Sequence, residues 1–171
     1  GINIAKTHIT DPERAKTLTL NDAIRDYCYS FNKLCRYGDY LTINISCPNA
    51  SDGQQFGQNP EALHKLLVNL KREEKTMSKE HPELKKKPVF IKISSDETVE
   101  SLHQILTVCE DNEIDGYVIG NTSNNREGLK TPSEMLDEIG RPGGLSGTPI
   151  KEKTTALIRR AYRFLKAGNP D

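Results

Sequence analysis

The sequence predicts an α/β fold made of four consecutive strand–helix units. Two observations carry this. Short, almost wholly apolar runs recur four times, over residues 1–4, 40–45, 88–93 and 115–120. Each is followed by a longer stretch with apolar residues at helical spacing. Nearly all-apolar strands alternating with helices are the pattern of a parallel sheet covered on both faces. Two architectures satisfy it: a doubly wound open sheet or a (β/α)8 barrel. A barrel has eight such units in about 250 residues, so the four units here, 171 residues read as one domain, would supply roughly half of one.

The elements follow in order. Gly1-Ile2-Asn3-Ile4 reads as a strand end with Lys6 just past it, and 7–16 as a polar loop. Asn21 or Asp22 is positioned to cap a helix. Ile24, Tyr27, Cys28, Phe31 and Cys35 then share one helical face, which makes Cys28 and Cys35 small core residues. Gly38 suits the residue after that helix. The strand Tyr40 to Ile45 follows at once. Asn59-Pro60 is a cap followed by proline, a strong helix start. Leu63, Leu66, Leu67 and Leu70 line its buried face, and His64 lies outside it. The charge-dense stretch 71–87, with Pro82 inside it, reads as an exposed helix end and a long loop. After the strand Pro88 to Ile93, Ser95 or Asp96 can cap a helix presenting Val99, Leu102, Ile105, Leu106 and Cys109. Asp115 to Gly120 reads as another buried strand. A polar segment leads to Gly143-Gly144-Leu145-Ser146-Gly147. Thr148-Pro149 opens a last helix, about 150–165, burying Ile150, Leu157, Ile158, Ala161 and Leu165.

Composition narrows the function classes. Lys+Arg and Asp+Glu both number 24, so neither nucleic acid nor an anionic membrane surface is indicated as a partner. No apolar run is long enough to span a bilayer and no signal peptide opens the chain. The first residue is Gly1, in what reads as the middle of a strand, so a fragment of a longer protein is expected. Cys28, Cys35, Cys47 and Cys109 form no CxxC pair, so no metal site is expected. Four scattered cysteines fit a reducing compartment, hence a cytoplasmic location.

The stretch with most chemistry is Asn44-Ile45-Ser46-Cys47-Pro48-Asn49. Pro48 cannot donate to a ladder, so the strand stops here. Two carboxamides, a hydroxyl and a thiol thus stand where a strand opens into a polar loop carrying Gly53 and Gly57. The same residues also suit a tight strand exit whose asparagines bond their own backbone. In both architectures functional groups gather beyond the C-terminal strand ends. Those ends carry Asn3 and Lys6, then Asn44, Cys47 and Asn49, then Lys92, then Asn121 and Thr122. The glycine run 143–147 could bring backbone N–H groups close to an anion or cofactor. Carboxamides suit a planar ring with both C=O and N–H edges. A lysine on a buried strand is expensive unless it meets negative charge. A thiol there can be a general base, while no His–Asp pair supports a protease-like dyad.

These residues resemble the active-site motif of the dihydroorotate dehydrogenases. The resemblance extends through Gly1 to Lys6, Ile91-Lys92-Ile93-Ser94-Ser95-Asp96, Asp115-Gly116, Gly120-Asn121-Thr122 and Gly143 to Gly147, in the family's order and approximate spacing. It implies about four consecutive βα units from the middle of an FMN-binding (β/α)8 TIM barrel. It implies oxidation of (S)-dihydroorotate to orotate in pyrimidine biosynthesis, with Cys47 as the base at C5 and Lys92 beside the flavin's pyrimidine edge. Asn44, Asn49, Asn121 and Thr122 would bind substrate. Asn3, Asn44, Lys92, Gly120, Ser146 and Gly147 would contact FMN.

The blocks around Lys6, Lys92 and Gly147 look closest to the quinone-using class, whereas a cysteine base is typical of the soluble class. The electron acceptor, quinone or fumarate/NAD, therefore stays open. Missing parts of the barrel would complete the FMN phosphate site. Dimer or peripheral membrane contacts would also come from parts outside these residues. The alternatives are a dihydropyrimidine dehydrogenase-like FMN barrel and a non-catalytic flavin-binding fragment.

Overall fold

The computed structural model describes residues 1–7, 9–11, 13, 17–46, 53–138 and 143–168. Its strands are β1 (Ile2–Ala5), β2 (Leu41–Asn44), β3 (Val89–Ile93) and β4 (Gly116–Ile119), all parallel, in the order β1-β2-β3-β4. That order decides between the two architectures. A doubly wound sheet reverses its strand order at a switch point. Here each strand adds beside its predecessor, and right-handed crossovers then place the connecting helices on one side. This is the wall of a (β/α)8 barrel.

The helices are α1 (Leu20–Leu34), α2 (Gly53–Gln58), α3 (Pro60–Glu80), α4 (Val99–Asp111), α5 (Ser133–Glu138) and α6 (Thr148–Lys166). Helix α1 starts from Thr19, not Asn21 or Asp22: Asp22 is at N3 and completes a capping box by accepting from the Thr19 N–H at 2.8 Å. A 3₁₀ turn, Cys35–Tyr37, follows α1. Gly38 is extended, not left-handed; a Cβ there would lie 3.0 Å from the Tyr40 carbonyl oxygen and 3.1 Å from Ile2. Close approach, not a helix stop, is what favours a glycine there.

Asn59 caps α3 as expected, accepting from the Ala62 N–H at 3.1 Å. The helix runs on to Glu80 through the charged stretch read as helix end and loop, because Pro82 breaks it only after that point. Thr98, not Ser95 or Asp96, caps α4. Gly147, with φ 82°, is the N-cap of α6, so Thr148 is its first helical residue.

The core lies between one face of the sheet and the helices. Ile4, Leu41, Ile43, Val89, Ile91 and Ile93 are each 4% exposed or less and cluster with Tyr27, Phe31, Leu66, Leu67, Leu102, Leu106 and Cys109. Cys35 is buried, while Cys28 is half-buried, and burial pushes its thiol up to about 11. In α6 the buried residues are Leu157, Ala161 and Phe164. Ile158, expected inside, stands one residue off that stripe and is exposed. Strand β4, expected to be buried, is half-exposed with Val118 on the open side, since no further strand pairs with it among the described residues. No described helix is long and apolar enough to cross a membrane.

Candidate active site

Side chains alternate across a strand, so the face opposite the core is set by register. Ala5, Asn44, Lys92 and Val118 stand side by side in one row; Asn3, Thr42, Phe90 and Gly116 form the row before it. Lys92 falls between Ile91 and Ile93, both fully buried against the helices. The period of two therefore points Lys92 to the other face, with Asn44 as its lateral neighbour.

At the C-terminal strand ends these residues join one hydrogen-bonded chain. The Asn44 Oδ1 accepts from the Ser46 N–H at 3.0 Å and the Ser46 hydroxyl at 2.8 Å. The Ser46 carbonyl accepts from Asn121 Nδ2 at 3.0 Å. The Asn121 Oδ1 accepts from Lys92 Nζ at 2.6 Å. Ends of β2, β3 and β4 are thus tied through carboxamides. Asn44 is also the backbone-bonding strand exit that its sequence allows, so the two readings of that motif coexist in one side chain.

The flanking residues fall close by. The Ser95 hydroxyl donates to the Asn121 carbonyl, and a Cβ at Gly120 would overlap the Ser95 hydroxyl. Thr122 packs against Gly144, where a Cβ would strike its hydroxyl. Ser123 and Leu145 exchange backbone bonds of 2.9 and 2.7 Å, which brings the glycine run beside the end of β4. Ser146 and Gly147 are exposed at the start of α6, and Asn3 is exposed one row below Asn44. The structure therefore bonds Lys92 to Asn121 directly and Asn44 to Asn121 through Ser46, sets Gly120 and Thr122 beside them, and leaves Asn3, Ser146 and Gly147 at the rim. Cys47 and Asn49 lie outside the described residues.

Several contributors escaped sequence reasoning. Tyr27 reads there only as core, yet its buried hydroxyl donates to the Asn44 carbonyl at 2.7 Å, and its ring meets Phe56 edge-on at 5.6 Å. A buried tyrosine needs such a partner, which is the signal that could have found it. Ser46, Gln58, Ser94, Asp96, Glu97 and Thr122 line much of a polar cavity of about 90 Å³ at the same strand ends. Burial works to raise the Asp96 carboxyl, but hydrogen bonds from Lys153, Ser123 and the Asn124 N–H outweigh it and hold the group below its ordinary range. Burial raises Glu97, against the Ser101 hydrogen bond and with help from the Asp96 charge. A more apolar hollow of about 40 Å³, lined by Phe31, Cys35, Leu41 and Met77, touches β2 at its opposite end and holds none of these groups.

The family model for dihydroorotate dehydrogenase matches residues 1–168. A dihydroorotate dehydrogenase (quinone) from Actinobacillus succinogenes is 35% identical over 173 residues, covering 99% of this chain and 46% of that protein. The protein of the same name from Coxiella burnetii is 35% identical over 165 residues, covering 96% and 43%. Among solved structures, the Eimeria tenella DHODH in complex with ferulenol superposes with a TM-score of 0.73 at 25% identity, over 87% of this chain and 40% of that one. The chain spans about half the length of the curated relatives it matches. Over that span, the chain belongs to the dihydroorotate dehydrogenase family.

Proposed function

We propose that the protein carrying these residues oxidises dihydroorotate to orotate at the open face of the sheet, with FMN as cofactor and a quinone as final acceptor. The observation that supports this most is the Lys92 ammonium, set beside Asn44 and bonded to Asn121 on a strand whose other side chains are apolar. The residues fit a flavin. An ammonium between carboxamides suits the carbonyl- and nitrogen-bearing edge of its pyrimidine ring. Gly120 leaves no room for a side chain beside Asn121, and a Cβ at Gly147 would meet nothing within 4 Å, so the backbone there is open to a ligand.

FMN, when bound, supplies the acceptor for a hydride leaving C6 of the substrate. The chain's own residues do the rest. Cys47 takes the proton from C5, so the substrate loses a proton and a hydride and gains the C5=C6 double bond. Lys92 offsets negative charge at the flavin's pyrimidine edge. Asn44 commits its Oδ1 to Ser46, which leaves Nδ2 to donate to a ring carbonyl. Asn121 has one bond at each end of its amide, and each end can take a second from the orotate ring. Asn49 and Thr122 complete the substrate contacts; Asn3 and Ser146 serve the flavin. The names of both relatives support the quinone.

The test is anaerobic flavin bleaching in the complete gene product. Dihydroorotate should bleach the flavin and dihydrouracil should not. Reoxidation should be fast with a soluble quinone and slow with fumarate or NAD. Bleaching by dihydrouracil would favour a dihydropyrimidine dehydrogenase-like enzyme, and bound flavin that neither compound bleaches would mark a non-catalytic protein.

A further inference from the structure

We infer that Asp96 is a positioning residue. It pins the loop bearing Asn121 and Thr122, and through it the Leu145 segment, against the strand that carries Lys92. The role rests on the functional reading above, but its geometry stands alone.

Asp96 is four residues beyond Lys92 in the sequence, on the exit of β3. Its Oδ1 accepts from the Ser123 hydroxyl at 2.6 Å and from Lys153 Nζ at 2.6 Å. Its Oδ2 accepts from the Asn124 N–H at 2.9 Å. One carboxylate thus joins the exit of β3, the exit of β4 and helix α6. Ser123 carries the link onward. It is 1% exposed, and its N–H and C=O pair with Leu145, two residues before Gly147. Its hydroxyl oxygen also accepts from the Asn125 N–H at 3.0 Å. Removing the carboxylate would leave the Asn124 N–H and the Ser123 hydroxyl without their acceptor, next to the amide that holds Lys92.

The three partners carry unequal weight. The Lys153 side chain is 45% exposed, so its ion pair is screened by water and salt. Ser123 is buried, so its charge-assisted bond to Asp96 is the stronger tether. Lys153→Met should therefore change little, whereas Asp96→Ala should free the loop. Asp96→Asn keeps one acceptor oxygen but turns the other into a donor facing donors, and should fall between them.

The experiment uses the complete gene product with its flavin, comparing wild type, Asp96→Ala, Asp96→Asn and Lys153→Met. Hydrogen exchange reads the amides of 121–125 and 143–147, and orotate affinity is read by its perturbation of the flavin spectrum per bound flavin. We expect Asp96→Ala to speed exchange in both segments and weaken orotate at least about tenfold, a modest share of what a 1 Å misplacement can cost. Asp96→Asn should be intermediate and Lys153→Met near wild type. Unchanged exchange in Asp96→Ala overturns the tether. Faster exchange with unchanged orotate affinity also overturns the inference, because the contact is then only structural. If wild type shows no response to orotate or dihydroorotate, the functional reading fails, and the exchange pattern still decides whether Asp96 holds the two loops.

Discussion

The two faces of the same four strands carry opposite kinds of side chain. On the helix side Leu41, Ile43, Ile91 and Ile93 are fully buried. On the other side Asn3, Asn44 and Lys92 project from these strands, and Asn44 and Lys92 join a carboxamide network through Ser46 and Asn121. A single residue step separates the two sets, because side chains alternate. Cohesion and chemistry thus occupy adjacent positions, and mutation can separate them.

The largest expected effect comes from Lys92. Lys92→Ala should slow flavin reduction by dihydroorotate about 10²-fold or more, the scale of losing one electrostatic stabiliser. Its melting temperature should move little. Stopped-flow bleaching and thermal melting measure the two; a normal rate would break the contrast between the faces. Its neighbour should behave oppositely. Ile91→Ala should cost about 2–5 kcal/mol of stability in urea unfolding, as for other buried isoleucine truncations. The rate per folded molecule should survive, and a selective loss of rate without loss of stability would count against the division.

A smaller effect is expected from Thr98, whose hydroxyl accepts from the Ser101 N–H at 3.1 Å to start α4 behind the sheet. Thr98→Ala should lower stability by about 1 kcal/mol and leave orotate binding alone. The smallest effect is pH-dependent. Asp96 has its folded pKa held below the ordinary 3.8, so its contribution is present above that value and is lost as pH falls through the folded pKa. Melting between about pH 2 and pH 5 should therefore lose less on acidification in Asp96→Asn than in wild type. An identical acid limb would show that this carboxylate stores no folding energy.

The four strand–helix units were legible because apolar periodicity is local. So were Lys92 and Asn44, since a charge or a carboxamide inside an apolar run stands out. The sequential strand order was not, because apolar strands read alike in an open sheet and a barrel. Asp96 looked like a helix cap because its partners are distant: Ser123 lies 27 residues on and Lys153 lies 57 residues on. Tyr27 looked like core because its ring is core, and only its hydroxyl reaches Asn44. The exposure of β4 depends on whether another strand lies beside it, which the strand's own residues do not encode.

We propose Cys47 as the base: it would take the C5 proton of dihydroorotate, while FMN would accept the C6 hydride. The most direct test is single-turnover flavin reduction by dihydroorotate in the complete gene product, from about pH 6 to about pH 10, around the ordinary thiol pKa of about 8.5. Wild type should rise through its thiol pKa and level off. Cys47→Ser should retain some rate with the pH dependence displaced upward. Cys47→Ala should lose at least about 10²-fold while still binding orotate. Equal rates in wild type and Cys47→Ala would contradict the account.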